Sequence, residues 1–104
     1  MAYRIVITKP AETDIEQNFN FIGLRSPTAA IAWLNSIQRA IESLHKMPSR
    51  GAPVPERVGL EFEYRHLIYH SHRIVFRVEE TTKIVFIVRV YHSSRTPLRA
   101  EDIE

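Results

Sequence analysis

The fold turns on the stretch "YRHLIYHSHRIVFRVEETTKIVFIVRVYH", residues 64–92. It contains three runs rich in Ile, Val, Phe and Tyr, the residue types that suit a pleated, half-buried surface. Strands are expected at about 62–69, 72–79 and 83–92. Only His70 and Ser71 separate the first pair, which is the length of a tight hairpin. "EETT" (79–82) closes the second. Three strands joined by such short links form an antiparallel meander.

Turn lengths suggest a register. Pairing Tyr69 with His72 sets Ile68 opposite Arg73, His66 opposite Val75 and Tyr64 opposite Arg77. Pairing Val78 with Ile84 sets Phe76 opposite Phe86, Val75 opposite Ile87 and Arg73 opposite Arg89. Side chains alternate across a strand, so two faces follow. Leu67, Tyr69, Ile74, Phe76, Val78, Ile84, Phe86, Val88 and Val90 form the expected core face. The other face carries His66, Arg73, Arg77, Arg89 and Tyr91 among Val75, Val85 and Ile87. Facing arginines cost about 0.2–1 kcal/mol. Either their stems lie over apolar surface with the heads in water near Glu61, Glu63 or Glu79, or an anion offsets the repulsion. A phosphate or a partner's carboxylate would do. Arg73, Arg77 and Arg89 are therefore candidate anion-binding residues.

Upstream, "AYRIVIT" (2–8) alternates as a strand does. Pro10 starts a helix, with Glu12 and Asp14 near its positive end and an apolar stripe at Ala11, Ile15, Phe19 and Ile22. Ser26 and Pro27 begin a second helix, whose stripe at Ala30, Leu34, Ile37, Ile41 and Leu44 ends before Pro48. A short link between helices gives a helical hairpin. Residues 48–59 hold three of the six prolines and two of the three glycines and read as a loop. No C-terminal helix is evident. The expected fold is α+β in the order β-α-α-β-β-β, an antiparallel α-hairpin packed on a small, mostly antiparallel sheet, with residues 1–104 as one domain.

With 104 residues, 44% hydrophobic and 25% charged, the chain has room for one core and is not disordered in composition. It has no cysteine, so disulfides and thiolate metal sites are excluded. No apolar run approaches the length of a membrane span. The opening "MAYRIVITK" reads as a strand, not as a secretion signal. These features fit a cytoplasmic protein. His66, His70 and His72 are close in sequence, but His66 points away from His72 in a strand, and no cofactor or metal is expected. The net charge is +2, yet eleven of the fourteen cations are arginine. Arginine binds phosphate and carboxylate bidentately, which hints at a nucleic acid or an acidic protein partner, while genome composition alone could produce the same bias.

The element order, with "EYRHLIY", "HRIVFRV" and "IVFIVRVYHSSR", resembles the RelE/ParE superfamily of toxins from type II toxin–antitoxin systems across nearly the whole chain. The resemblance implies a growth-inhibiting toxin, held inactive by a cognate antitoxin encoded in a neighbouring gene. RelE-like members cleave mRNA on the ribosome, and ParE-like members poison DNA gyrase. In the nuclease branch, the matching candidates for catalysis are Arg65, Arg89, Tyr91 and His92, with His92 alone titrating near neutrality by type. His92 also continues the core-side alternation after Val90 and reads equally as a core-edge histidine. The long helical hairpin, and lysines confined to Lys9, Lys46 and Lys83, look like the ParE branch. The histidine-x-x-x-aspartate ending common there is missing, since Arg95 and Thr96 follow His92. A non-enzymatic nucleic-acid-binding module is the rival reading, and it implies salt-sensitive binding to naked RNA or DNA. Phe21 and Leu24 lie well off the core side of the first helix, and Trp33 lies at the edge of the second helix's stripe. They either fill the groove between the helices or form the patch that an amphipathic antitoxin helix covers.

Overall fold

Thr8 and Pro10 turn the first strand into the first helix, and the rest of the architecture hangs from that turn. The computed structural model describes residues 2–55, 59–69, 71–92 and 99–104. Strand β1 (Arg4–Ile7) leads into helix α1 (Lys9–Gly23), with Pro10 in the first turn, where its missing N–H costs nothing. Ser26 caps helix α2 (Pro27–Ser43), its hydroxyl accepting the Ala29 amide at 3.1 Å. The expected loop contains a 3-10 turn (Pro48–Arg50) and a two-residue strand β2 (Ala52–Pro53). Strands β3 (Arg65–Tyr69), β4 (His72–Glu79) and β5 (Ile84–His92) make the meander, and a one-turn helix α3 (Ala100–Ile103) follows. The α+β class and the β-α-α-β-β-β order hold. The short α3 corrects the expectation of no closing helix. It starts with a capping box, in which Asp102 accepts the Arg99 amide at 2.9 Å.

The sheet runs β1-β5-β4-β3-β2, with β1 parallel to β5 and the other neighbours antiparallel. On its helix-covered face, Ile74, Phe76, Val85, Ile87 and Val90 pack with Ala11, Ile37, Ile41 and Leu44. A smaller cluster on the opposite face joins Val54, Tyr64, Val75 and Val88 to Ile103 of α3. Each fully buried large side chain contributes roughly 1.5–3 kcal/mol relative to exposure, so the sheet is stabilised from both sides.

The first hairpin has the expected register, Tyr69 with His72 and Ile68 with Arg73. The second does not. Glu79, not Val78, pairs with Ile84. Lys83 takes a left-handed backbone (φ 57°) and closes a turn one residue shorter than expected. Thr82 Oγ1 braces that turn by donating to Glu79 Oε1 at 2.6 Å. The slip exchanges the faces of the first half of β5. Val85 and Ile87 point to the helices, whereas Phe86 and Val88, expected in that core, join the opposite cluster. A β-bulge then shifts the pairing again, so that Phe76 opposes Ile87 but Val75 opposes Arg89. After the bulge, Val90 and Tyr91 lie on the faces expected of them. Arg73 pairs with Tyr91, so the predicted Arg73–Arg89 juxtaposition does not exist.

Candidate functional site

The bulge explains why a core strand carries an arginine. Strand β1 stops at Ile7, where the Thr8 amide and hydroxyl both donate to the Ile87 carbonyl, at 3.0 and 2.8 Å. Beyond that point α1 replaces β1 along the edge of β5. Asp14 of α1, only 9% exposed, accepts the Val90 amide at 3.0 Å. It also receives Arg89 bidentately, Nε to Oδ2 at 2.6 Å and Nη2 to Oδ1 at 2.9 Å. Arg89 Nη1 donates to the Asp102 carbonyl of α3 at 2.9 Å. One guanidinium thus ties α1, β5 and α3 together. Its hydrogen bonds to Asp14 raise its already high pKa, so it stays charged. A phosphate seeking this cation must first displace a built-in carboxylate.

One turn along α1, Asn18 donates to the Asp14 carbonyl at 2.8 Å, and its Oδ1 lies 3.3 Å from His72 Nε2. Trp33 Nε1 donates to His72 Nδ1 at 3.4 Å. An indole can only donate, so Nδ1 accepts and the proton sits on Nε2, where Asn18 takes it. His92 meets the His72 ring edge-on, with centroids 4.8 Å apart. His92 therefore sits beside buried His72 at the edge of the helix-covered face.

On the other face the arginines are also engaged. Arg73 is buried, and its Nε donates to His66 Nδ1 at 2.9 Å. The Arg77 guanidinium lies between the rings of Phe62 and Phe86, 4.4 and 4.5 Å from their centroids. Arg77 Nη1 also reaches Glu79 Oε2 at 3.5 Å. Arg65 Nη1 donates to the Gly51 carbonyl at 2.8 Å. Tyr64 is buried and bonded to the Glu104 carboxylate, and burial with that contact pushes its phenol up to about 12. Glu104 is held below the usual carboxylate range by the Glu61 and Phe62 amides, 2.9 and 3.1 Å away.

Arg89 and Tyr91 lie close enough to interact electrostatically, but the four candidates for RNA cleavage do not all converge. Arg65 pairs with Phe76, which pairs with Ile87, so Arg65 lies level with Ile87, two strands across from β5. Tyr91 and His92 are four and five residues further along β5. That separation is roughly 10 Å across and 13–16 Å along the sheet. Tyr91 joins the opposite-face cluster, while His92 contacts His72. His70, Arg95 and Thr96 lie outside the described residues.

The helical hairpin separates the remaining three candidates. Phe21 and Leu24 are 61% and 85% exposed, and Leu24 borders an apolar cleft of about 420 Å³ with Phe19, Pro27 and Ile31. Trp33 instead packs against the core. The residues that sequence reasoning missed are Asp14, Asn18 and His72. Asp14 and Asn18 share the buried stripe of α1 with Ala11 and Ile15 at helical spacing, and polar residues on such a stripe were the available signal.

Residues 5–97 match the family described as the ParE toxin of the type II toxin–antitoxin system parDE. Among solved structures, the chromosomal ParDE toxin–antitoxin system from P. aeruginosa is similar at 21% identity and TM-score 0.70, over 88% of this chain and 96% of that one. The toxin–antitoxin complex RelBE2 from Mycobacterium tuberculosis is similar at 20% identity and TM-score 0.63, over 91% and 95%. At these identities the two neighbours establish the shared fold. Comparison with curated protein sequences gives no match. On the extent of the family match, the chain belongs to the ParE toxin family of type II toxin–antitoxin systems.

Proposed function

We propose that this toxin arrests growth by acting on DNA gyrase in the cytoplasm, without catalysing a reaction of its own. The observation that carries this reading is the state of Arg89. A ribonuclease needs unneutralised cations at the scissile phosphate and an acid–base group within hydrogen-bond reach of the same atoms. Here Asp14 already neutralises Arg89, and Arg65 is bound to Gly51 well away from His92. A protein that works by docking on a target enzyme needs no such convergence. The match to the ParE family supports the same branch.

A cognate antitoxin restrains the toxin in this reading. Its docking place is the apolar cleft at the linked end of the helical hairpin, where Leu24 and Ile31 are exposed, 85% and 56%, with Phe21 exposed nearby on α1. The apolar face of an amphipathic helix fits such a cleft.

The test is to run both activities on one preparation. Purified protein is expected to block supercoiling by gyrase or trap cleaved DNA, and to leave ribosome-bound mRNA intact. Ribosome-dependent mRNA cleavage with unaffected gyrase would overturn the proposal. So would salt-sensitive binding to naked nucleic acid as the sole activity. Expression of the chain alone is expected to slow bacterial growth, and co-expression of the adjacent reading frame to restore it. Leu24→Ser is expected to leave stability within about 0.5 kcal/mol while weakening that rescue.

A further inference from the structure

We propose that His72 is a proton-operated latch, which holds α2 to the sheet while its imidazole is neutral and releases it when the ring is protonated. The inference concerns a group that the gyrase reading does not use, and it does not rest on that reading. His72 opens β4 and is only 7% exposed. Its ring engages both helices, through Trp33 Nε1 of α2 at 3.4 Å and Asn18 Oδ1 of α1 at 3.3 Å. The imidazole and the Trp33 ring also pack, with centroids 5.1 Å apart and planes tilted by 56°.

The two bonds respond differently to a proton. An indole N–H only donates, so the Trp33 bond lasts only while His72 Nδ1 keeps its lone pair. A proton on Nδ1 turns that acceptor into a donor and sets two N–H groups against each other. The Asn18 bond is kept, because Nε2 carries its proton in either state. Protonation thus breaks the α2 contact and spares the α1 contact. Trp33 lies one turn beyond Ala30, which lines the apolar cleft of the helical hairpin, so release loosens that wall.

The surroundings favour parting over holding the charge in place. Across the sheet, His72 pairs with Tyr69 of β3 and with His92 of β5. The His92 ring meets it edge-on at 4.8 Å, so a second imidazolium there opposes the first. From α1 comes Asn18, which is neutral, and one turn earlier Asp14, whose carboxylate is occupied by Arg89 and the Val90 amide. From α2 comes Trp33, set between buried Ala30 and Ile37. Next along β4, Arg73 alternates to the opposite face, where it donates to His66. A buried charge costs far more than a buried neutral ring. Glutamine at this position would make both bonds at any pH, whereas histidine makes the α2 bond conditional on the proton.

The test takes the full chain in steps from about pH 8 down to about pH 5, the range in which histidine changes charge. Trp33 is the only tryptophan, so its emission and its indole N–H resonance report the contact. On acidification the emission is expected to move to longer wavelength. The indole resonance is expected to shift in step with protonation of His72 Nδ1, read from the imidazole nitrogen resonances. Far-UV circular dichroism is expected to stay constant over the same steps. His72→Gln is expected to abolish the transition, and His92→Gln to keep it but move it to higher pH. Emission indifferent to pH, a transition that persists in His72→Gln or vanishes in His92→Gln, or an Nδ1 already protonated at about pH 8 overturns the proposal. So does loss of the far-UV signal over the same steps, because Trp33 then reports unfolding of the whole domain. If His72→Gln does not fold, the unaltered chain decides alone, since the Nδ1 and indole resonances must move together. No target, antitoxin or cell enters the measurement, so this proposal and the gyrase reading can fail separately.

Discussion

Replacing Asp14 by alanine strikes the point where helix, sheet and C-terminal turn meet. Asp14 accepts three hydrogen bonds, two from Arg89 and one from the Val90 amide. Its side chain is 11% exposed and that of Arg89 23%. Breaking a buried ion pair from one side costs about 3–5 kcal/mol, because a charge is left behind. Arg89 is near enough to solvent to recover part of its hydration, which places the pair at the low end. The orphaned Val90 amide adds about 1 kcal/mol. The expected loss for Asp14→Ala is therefore about 3–4 kcal/mol, a large share of a small domain's stability. Arg89→Ala is expected to cost less, about 2–3 kcal/mol, since Asp14 keeps the Val90 amide. Urea titrations followed by circular dichroism measure both. The double variant is expected to show a coupling of about 2 kcal/mol. A cost below about 1 kcal/mol for Asp14→Ala, or additive single costs, would refute this account of the bulge and its ion pair.

Gly51→Ala places a Cβ 2.7 Å from Phe76 Cζ and 3.0 Å from the His66 carbonyl; a loss of about 1–3 kcal/mol is expected in the same titration. Tyr64 holds its proton more tightly folded than unfolded, so its contribution is intact below pH 10 and lost as pH rises towards about 12. Tyr64→Phe is expected to flatten that alkaline decline in pH-dependent unfolding. His72→Phe keeps the ring but strands Trp33 Nε1–H and Asn18 Oδ1, at an expected cost of about 1–3 kcal/mol. Trp33 is the only tryptophan, so a shift in its emission in that variant, with less change in His72→Gln, checks the contact directly.

Local pattern was enough for the fold. Hydrophobic period separated helix from strand, Ser26 and Pro27 marked the start of α2, and a two-residue gap set the first hairpin's register. Residue order also carried the family resemblance. These readings succeed because each depends on neighbours within a few positions. The functional face was less legible. Whether Val85 or Phe86 faces the helices hinged on the left-handed backbone at Lys83, and a single residue in that turn exchanges the two faces. Arg89 was visible as an arginine in an apolar strand, but its partner was 75 residues away. Asp14 looked like an ordinary acidic residue near a helix start. Tertiary structure alone decided that β1 ends at Ile7, that α1 takes over its edge of β5, and that the bulge turns Arg89 to meet Asp14. A strand edge left open by one element must find hydrogen bonds from another, and no local pattern says which.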